Sequence, residues 1–152
     1  MLNVALWEPE IPPNTGNVAR LCAASRTALW IVGRPNFQMD DKAVKRAGLD
    51  YWPYVNLNFL HSLEQLEKMF PVGKLRPFSV RGSNTYCHVQ YKDGDCLLFG
   101  PESRGLPPEF LARHTEFTLK IPMVCPEVRS INLSTSVGIG LYEALRQLDF
   151  PG

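Results

Sequence analysis

Ile121–Gln147, IPMVCPEVRSINLSTSVGIGLYEALRQ, is the stretch on which the reading of this chain turns. It starts as a proline-punctuated loop and enters a helix through Ser130-Ile131-Asn132-Leu133-Ser134. Five of the seven residues from Ser134 to Gly140 are small or carry a hydroxyl. Glycine inside a helix costs about 1 kcal/mol relative to alanine, and Gly138 and Gly140 both fall there. Close approach of another backbone or of a ligand is the usual compensation. Val137, Leu141, Ala144, Leu145 and Leu148 recur at helical spacing, so one face is core. Alone, the segment reads equally well as a tightly packed C-terminal helix.

Upstream of it, short apolar runs alternate with helix-patterned segments. Leu2–Trp7, Ala28–Val32 (closed by Gly33), Tyr54–Leu57, Pro77–Arg81, Asp95–Phe99 and Phe117–Ile121 read as strands. Helices are expected from a cap at Asn14 or Thr15, from Asp40-Asp41 to Gly48, over His61–Met69 with Leu63, Leu66 and Met69 inward, and over Glu109–Ala112. The segment from Gly82 to Tyr91 fits neither pattern. This alternation predicts an α/β fold, a mainly parallel sheet flanked by helices. No linker, repeat or low-complexity tract divides the 152 residues, so one domain over 1–152 is expected. In such sheets ligands collect where loops leave the carboxyl ends of the strands. The loops after Val80, Phe99 and Ile121 all carry glycine, proline or serine, and the site is expected there.

A hydrophobic fraction of 45% with 20% charge describes an ordinary globular chain rather than a disordered one. The net charge of +1 means that nucleic-acid binding would need a local basic patch or two chains pooling charge. Cys22, Cys87, Cys96 and Cys125 are widely spaced and read as free thiols of a reducing compartment, not as metal ligands or disulfides. MLNVALWEPE has no basic segment before a long apolar run, so it is no signal peptide. No apolar stretch nears the roughly 20 residues of a membrane span, so a cytoplasmic protein without a membrane partner is expected.

Three stretches could carry chemistry. In NTGNVAR, Asn14 opens a helix and Arg20 lies nearly two turns on, so that both can border one cleft; the bland alternative is a cap and a surface arginine. In GPESRGLP, Gly100 to Pro107, two glycines and two prolines fix an irregular loop whose backbone can face a ligand, or simply a strand-to-helix turn. Neither the G-x-G-x-x-G of dinucleotide folds nor the G-K-[ST] of phosphate loops is present. In IPM followed by RSINLS, Ile121–Met123 offer backbone and apolar contacts, and Arg129, Ser130 and Asn132 offer hydrogen bonds at a helix start. Singly, Ser130 reads as a cap before it reads as a catalyst.

Together and in this order, NTGNVAR, GPESRGLP and IPM…RSINLS resemble the three motifs of the SPOUT class of RNA ribose methyltransferases. The resemblance runs from Met1 to Gly152 and is closest to the bacterial branch that acts on the tRNA wobble nucleotide. LWEPEIPPNTGN, DDKAVKRAGLDYW and LYEALRQLDFPG match as well. It implies a C-terminal deep trefoil knot, S-adenosylmethionine held bent in the knot loops (S-adenosylhomocysteine as product), no metal, and a homodimer with the site near its interface. Carried over by position, Phe78, Gly100, Ile121, Met123, Ser130 and Leu133 would hold the cofactor. Arg20 would be the arginine tied to catalysis, reaching the cofactor of the partner chain. The small residues of the last helix would pack at the knot and the dimer interface. Two features depart from the family pattern: Phe78 replaces a smaller aliphatic residue, and VCPEVRS is one residue longer.

The implied reaction 2'-O-methylates the wobble cytidine or modified uridine in the anticodon stem-loop of tRNA. Arg20 is a poor base, because guanidinium stays protonated above about pH 12, so its expected role is to hold phosphate and developing oxyanion charge. A phosphate oxygen, water or Ser130 would take the proton. Asn14, Lys42, Lys45, Arg46 and Arg129 are candidate RNA contacts, the lysine-arginine run being also an ordinary solvated helix face. His61, His88 and His114 read as surface or packing residues, and Trp7 and Trp30 as core. The alternatives are another tRNA position or rRNA as substrate, a catalytically silent RNA-binding dimer, or a nucleotide hydrolase, the last lacking phosphate-loop and metal-ligand patterns.

Overall fold

In the computed structural model, residues 1–39, 42 and 49–151 are described. Five strands form one parallel sheet: β1 (Asn3–Trp7), β2 (Ala28–Val32), β3 (Asn56–Leu60), β4 (Leu75–Pro77) and β6 (Cys96–Phe99), in the order β3-β2-β1-β6-β4. A separate parallel pair joins β5 (Asn84–Thr85) to β7 (Leu119–Lys120). The helices are α1 (Pro12–Ala24), α2 (Leu63–Met69), α3 (Pro108–Arg113) and α4 (Leu133–Gln147).

Side-chain alternation along the strands builds two cores. Val4, Leu6, Leu97 and Phe99 face α1 and α4, where they meet Val18, Cys22, Val137 and Leu141. Ala5, Val32, Cys96 and Leu98 face the opposite layer and meet Leu66, Phe70 and Phe110. Both faces of the sheet are therefore covered, which is why its strands read as continuous apolar runs.

Several boundaries move. α1 begins at Pro12 after Ile11, with no side-chain cap, so Asn14 and Thr15 lie inside the first turn. Proline suits these first positions, since it lacks an N–H that would go unpaired there. The strand expected at Tyr54–Leu57 is β3, shifted to Asn56–Leu60; Tyr54 ends a 3-10 helix, Leu49–Tyr54. In α2, capped by Ser62, Leu66 is buried but Met69 is exposed, and Phe70 takes the inward place. The sheet pairing expected over Pro77–Arg81 stops at Pro77, because Phe78 leaves to bridge Leu119. Phe117–Ile121 shortens to β7 after a 3-10 turn, Thr115–Phe117. The helix expected from Asp40-Asp41 to Gly48 lies outside the described residues except for Lys42.

The smallness of Gly140 has a local cause. A Cβ there would stand 2.7 Å from Phe78 Cζ, whereas one at Gly138 would meet nothing nearer than Leu21 Cδ2 at 3.8 Å. Phe78 in turn stacks on Phe99 with ring centroids 4.6 Å apart. The large residue at position 78 is thus accommodated by the glycine facing it.

Candidate active site

β1 and β6 are neighbours at the centre of the sheet, and the loops leaving their carboxyl ends meet. The carboxylate of Glu102 accepts the backbone N–H groups of Glu10 (2.9 Å) and Ile11 (2.8 Å), and the Asn14 amide (3.3 Å). Those backbone donors lie at the start of α1, where helix N–H groups lack internal partners and favour negative charge. Beside it, Glu10 accepts the Ser103 N–H (2.7 Å) and hydroxyl (2.9 Å), and Arg104 pairs with Glu8 at 2.7 Å while lying over Trp7. The Ser103 hydrogen bonds, backbone first, hold the Glu10 carboxyl below its ordinary value. Gly100 is obligatory to this turn, since a Cβ would fall 2.4 Å from the Gly105 carbonyl carbon.

The third loop enters through Asn132. Its side-chain oxygen caps α4 by accepting the Thr135 N–H at 3.2 Å, and its Nδ2 donates to Asn14 Oδ1 at 3.2 Å. Glu102, Asn14 and Asn132 therefore form one relay across the three sequence motifs. Asn14, expected at RNA, is 7% exposed, with donor and acceptor both engaged inside the chain.

Between these loops lies a cleft of about 810 Å³. Phe78, Gly100, Ile121, Met123, Ser130 and Leu133 all line it. Asn14 and Arg129 border it as well, and so do Arg81 and Arg104, which sequence reasoning did not single out. An arginine next to a glycine at a strand end, as at Arg81-Gly82, was the available signal. Glu102 was also missed as a structural acceptor; its signal was a lone acid within a glycine-proline loop.

Arg20 does not line this cleft. Six helical residues turn the chain about 240° beyond one full turn, so Arg20 and Asn14 leave α1 on different sides. The two do not share a cleft within one chain, contrary to the expectation from spacing. Arg20 is exposed, and its guanidinium lies 4.5 Å from the centre of the Tyr51 ring. Lys42 is exposed, while Lys45 and Arg46 lie outside the described residues.

The cleft suits a folded nucleoside with a polar tail. Its floor is the Phe78–Phe99 stack with Leu133, an apolar bed for a base. Among the described residues, the backbone N–H groups of Leu106, Ile121 and Met123 find no acceptor within the protein, and the Ser130 hydroxyl has no partner. Unpaired backbone donors beside an apolar bed are what recognition of a base edge uses. Among the described residues no group of three or more His, Cys, Asp or Glu is placed to hold a metal.

The remaining candidates fall outside the cleft. His61 and His88 are exposed; His114 is buried, stacked on Phe110 and 2.9 Å from Glu67, where it joins α3 to α2. Trp7, Trp30 and Trp52 are all half-buried. The four cysteines are free, Cys22 and Cys96 buried, Cys87 and Cys125 exposed. No helix among the described residues is long and apolar enough to cross a membrane.

The chain is similar to known proteins over nearly its whole length. A tRNA (cytidine(34)-2'-O)-methyltransferase of Escherichia coli (strain K12) is 45% identical over 153 positions, covering 100% of this chain and 97% of that protein. A solved structure concerned with 2-OH methylation of C/U34 on tRNA superposes with a TM-score of 0.90 at 48% identity, over 99% of this chain and 98% of the other. An AdoMet-bound rRNA methyltransferase from Sinorhizobium meliloti superposes with a TM-score of 0.84 at 27% identity, over 97% of this chain and 56% of that one. The profile of the SpoU rRNA Methylase family matches residues 1–142, and the chain belongs to that family.

Proposed function

We propose that this chain is an S-adenosylmethionine-dependent methyltransferase that modifies the ribose 2'-oxygen of nucleotide 34, the wobble cytidine or uridine, in the anticodon loop of tRNA. The observation that carries this reading is the meeting of three separated motifs at one cleft, joined by Glu102, Asn14 and Asn132. Full-length likeness to enzymes named for that position supports the choice of substrate.

Bound S-adenosylmethionine supplies an electrophilic methyl group, whose carbon–sulfur bond breaks as the ribose oxygen forms its new bond to carbon. The protein contributes alignment, and near-attack positioning is worth several kcal/mol, up to about 11. Phe78, Phe99 and Leu133 would hold its base by apolar contact, and the unpaired backbone donors of Leu106, Ile121 and Met123 would be available to hydrogen-bond it. The Ser130 hydroxyl lines the same cleft and is available to orient the ribose oxygen, whose proton passes to a phosphate oxygen or to water, directly or through that hydroxyl.

Arg20 holds phosphate and developing oxyanion charge, as a fixed guanidinium does. Because it does not line the cleft of its own chain, it serves the cleft of a second copy, and the working unit is a homodimer in the cytoplasm. The C-terminal segment is threaded as a trefoil knot; passage of β7 alongside the connection between β4 and β6, with the Ser79 N–H donating to Leu119 O at 2.9 Å, supports that threading. Arg81, Arg104 and Arg129 at the rim attract the RNA backbone.

Nucleoside mass spectrometry of tRNA from cells lacking this chain tests the reading. One ribose methyl, at nucleotide 34, should disappear. A full complement of ribose methyls, or loss at another site only, would contradict it.

A further inference from the structure

We infer that Tyr51 is a positioning residue for the reaction, acting on substrate through Arg20. This deepens the proposed function and rests on its reading of Arg20.

The central carbon of the Arg20 guanidinium stands over the Tyr51 ring, 4.5 Å from its centre. Both side chains are exposed, Tyr51 at 37%. A long arginine on a helix surface ordinarily samples many rotamers, and holding it costs side-chain entropy. A ring against it removes much of that freedom before substrate arrives. A guanidinium carries five N–H donors and one ring face cannot take them all, so donors remain for a phosphate or ribose oxygen. Among the described residues no carboxylate or carbonyl takes those donors.

The ring is itself anchored. Tyr51 sits in the 3-10 helix Leu49–Tyr54, whose next residue, Trp52, packs against the main core together with Val55. The Val55 N–H donates to the Trp52 carbonyl at 3.1 Å and closes the turn. Trp52 thus points inward and fixes the segment, and Tyr51 is left on the outer side, over α1. Tyr51, beside the half-buried Trp52, forms the platform for an exposed cation.

The geometry also sets what the platform requires. An aromatic face is needed and the phenol hydroxyl is not, because the contact is made over the ring. Phenylalanine or tryptophan should therefore recover most of what leucine loses.

The test is methyl transfer to tRNA isolated from cells lacking this chain, with kcat and KM measured for Tyr51→Leu, Tyr51→Phe, Tyr51→Trp, Arg20→Lys and the double variant Tyr51→Leu/Arg20→Lys. Tyr51→Leu should lower kcat/KM by about tenfold, the combined scale of an exposed cation–π contact and lost orientation. Its melting temperature and affinity for S-adenosylhomocysteine should match the wild type. The double variant should be no worse than Arg20→Lys alone. Wild-type rates for Tyr51→Leu, failure of phenylalanine and tryptophan to recover activity, or losses that multiply in the double variant would overturn the role of Tyr51. Wild-type rates for Arg20→Lys would instead overturn the reading of Arg20, and with it the inference.

Discussion

The side-chain amides of Asn14 and Asn132, 118 residues apart in sequence, meet at 3.2 Å. Asn14 also donates to Glu102, so the first helix, the glycine-proline loop and the start of the last helix share one polar contact. Asn14 is the buried member of this relay, and losing either partner would leave one of its polar atoms unpaired, which fixes the loops relative to one another.

Asn132→Ala removes this contact and also the cap of α4. Loss of a cap costs about 1 kcal/mol, and stranding the Asn14 amide adds about 1–3 kcal/mol. Urea denaturation should show a combined loss of about 2–4 kcal/mol. Calorimetry should show weaker binding of S-adenosylhomocysteine, since Ser130 and Leu133 move with the cap.

Gly138 and Gly140 should respond oppositely to alanine. The Gly140 Cβ would press on Phe78, itself stacked on Phe99, so Gly140→Ala should destabilise by about 1–3 kcal/mol and disturb the cleft floor. Gly138 has room within the chain, and alanine there gains up to about 1 kcal/mol of helix preference in the isolated subunit. Thermal melts of both variants check the contrast.

Asp95 is fully buried and accepts the Arg76 Nε at 3.2 Å and the Lys92 N–H at 3.0 Å, leaving Oδ1 without a partner. Removing the arginine strands a buried charge. Arg76→Met should therefore cost about 3–5 kcal/mol in chemical denaturation. The pair lies at the opposite end of β6 from Gly100, so affinity for S-adenosylhomocysteine should survive wherever the variant is folded.

Glu10 supplies a pH signature. Ser103 hydrogen bonds lower its folded pKa below the ordinary 4.5, so its contribution is present above that value and is lost as pH falls through the folded value. Melting temperatures of wild type and Glu10→Gln, followed from neutrality to about pH 3, should differ at neutral pH and converge in acid.

How far the sequence could be read depended on how local each cause was. β1, β2 and β6 were legible because both of their faces are buried, which leaves an uninterrupted apolar signature. Gly100 was legible because its loop is dense in residues that define turns. Phe78 was not: Phe78-Ser79-Val80 looks like the continuation of a strand, yet its partner is Leu119, and nothing nearby in sequence announces it. Asn14 looked like a cap because Asn commonly is one; its actual partners, Glu102 and Asn132, are distant. Met69, expected inward, is exposed because α2 ends there, and Phe70, just beyond the helix, is buried instead. The cleft residues drawn from the family resemblance all line one cleft, whereas Arg20 falls elsewhere for the geometric reason that six residues do not complete a whole number of helical turns.

The central claim, a methyl transferred to the ribose of nucleotide 34, is tested most directly by supplying the purified chain with tRNA from cells lacking it and with S-adenosylmethionine bearing a deuterated methyl group. Digestion and mass spectrometry should place the deuterated methyl on the 2'-oxygen of nucleotide 34. Label on a base, on a different ribose, or on no nucleoside at all would contradict the account.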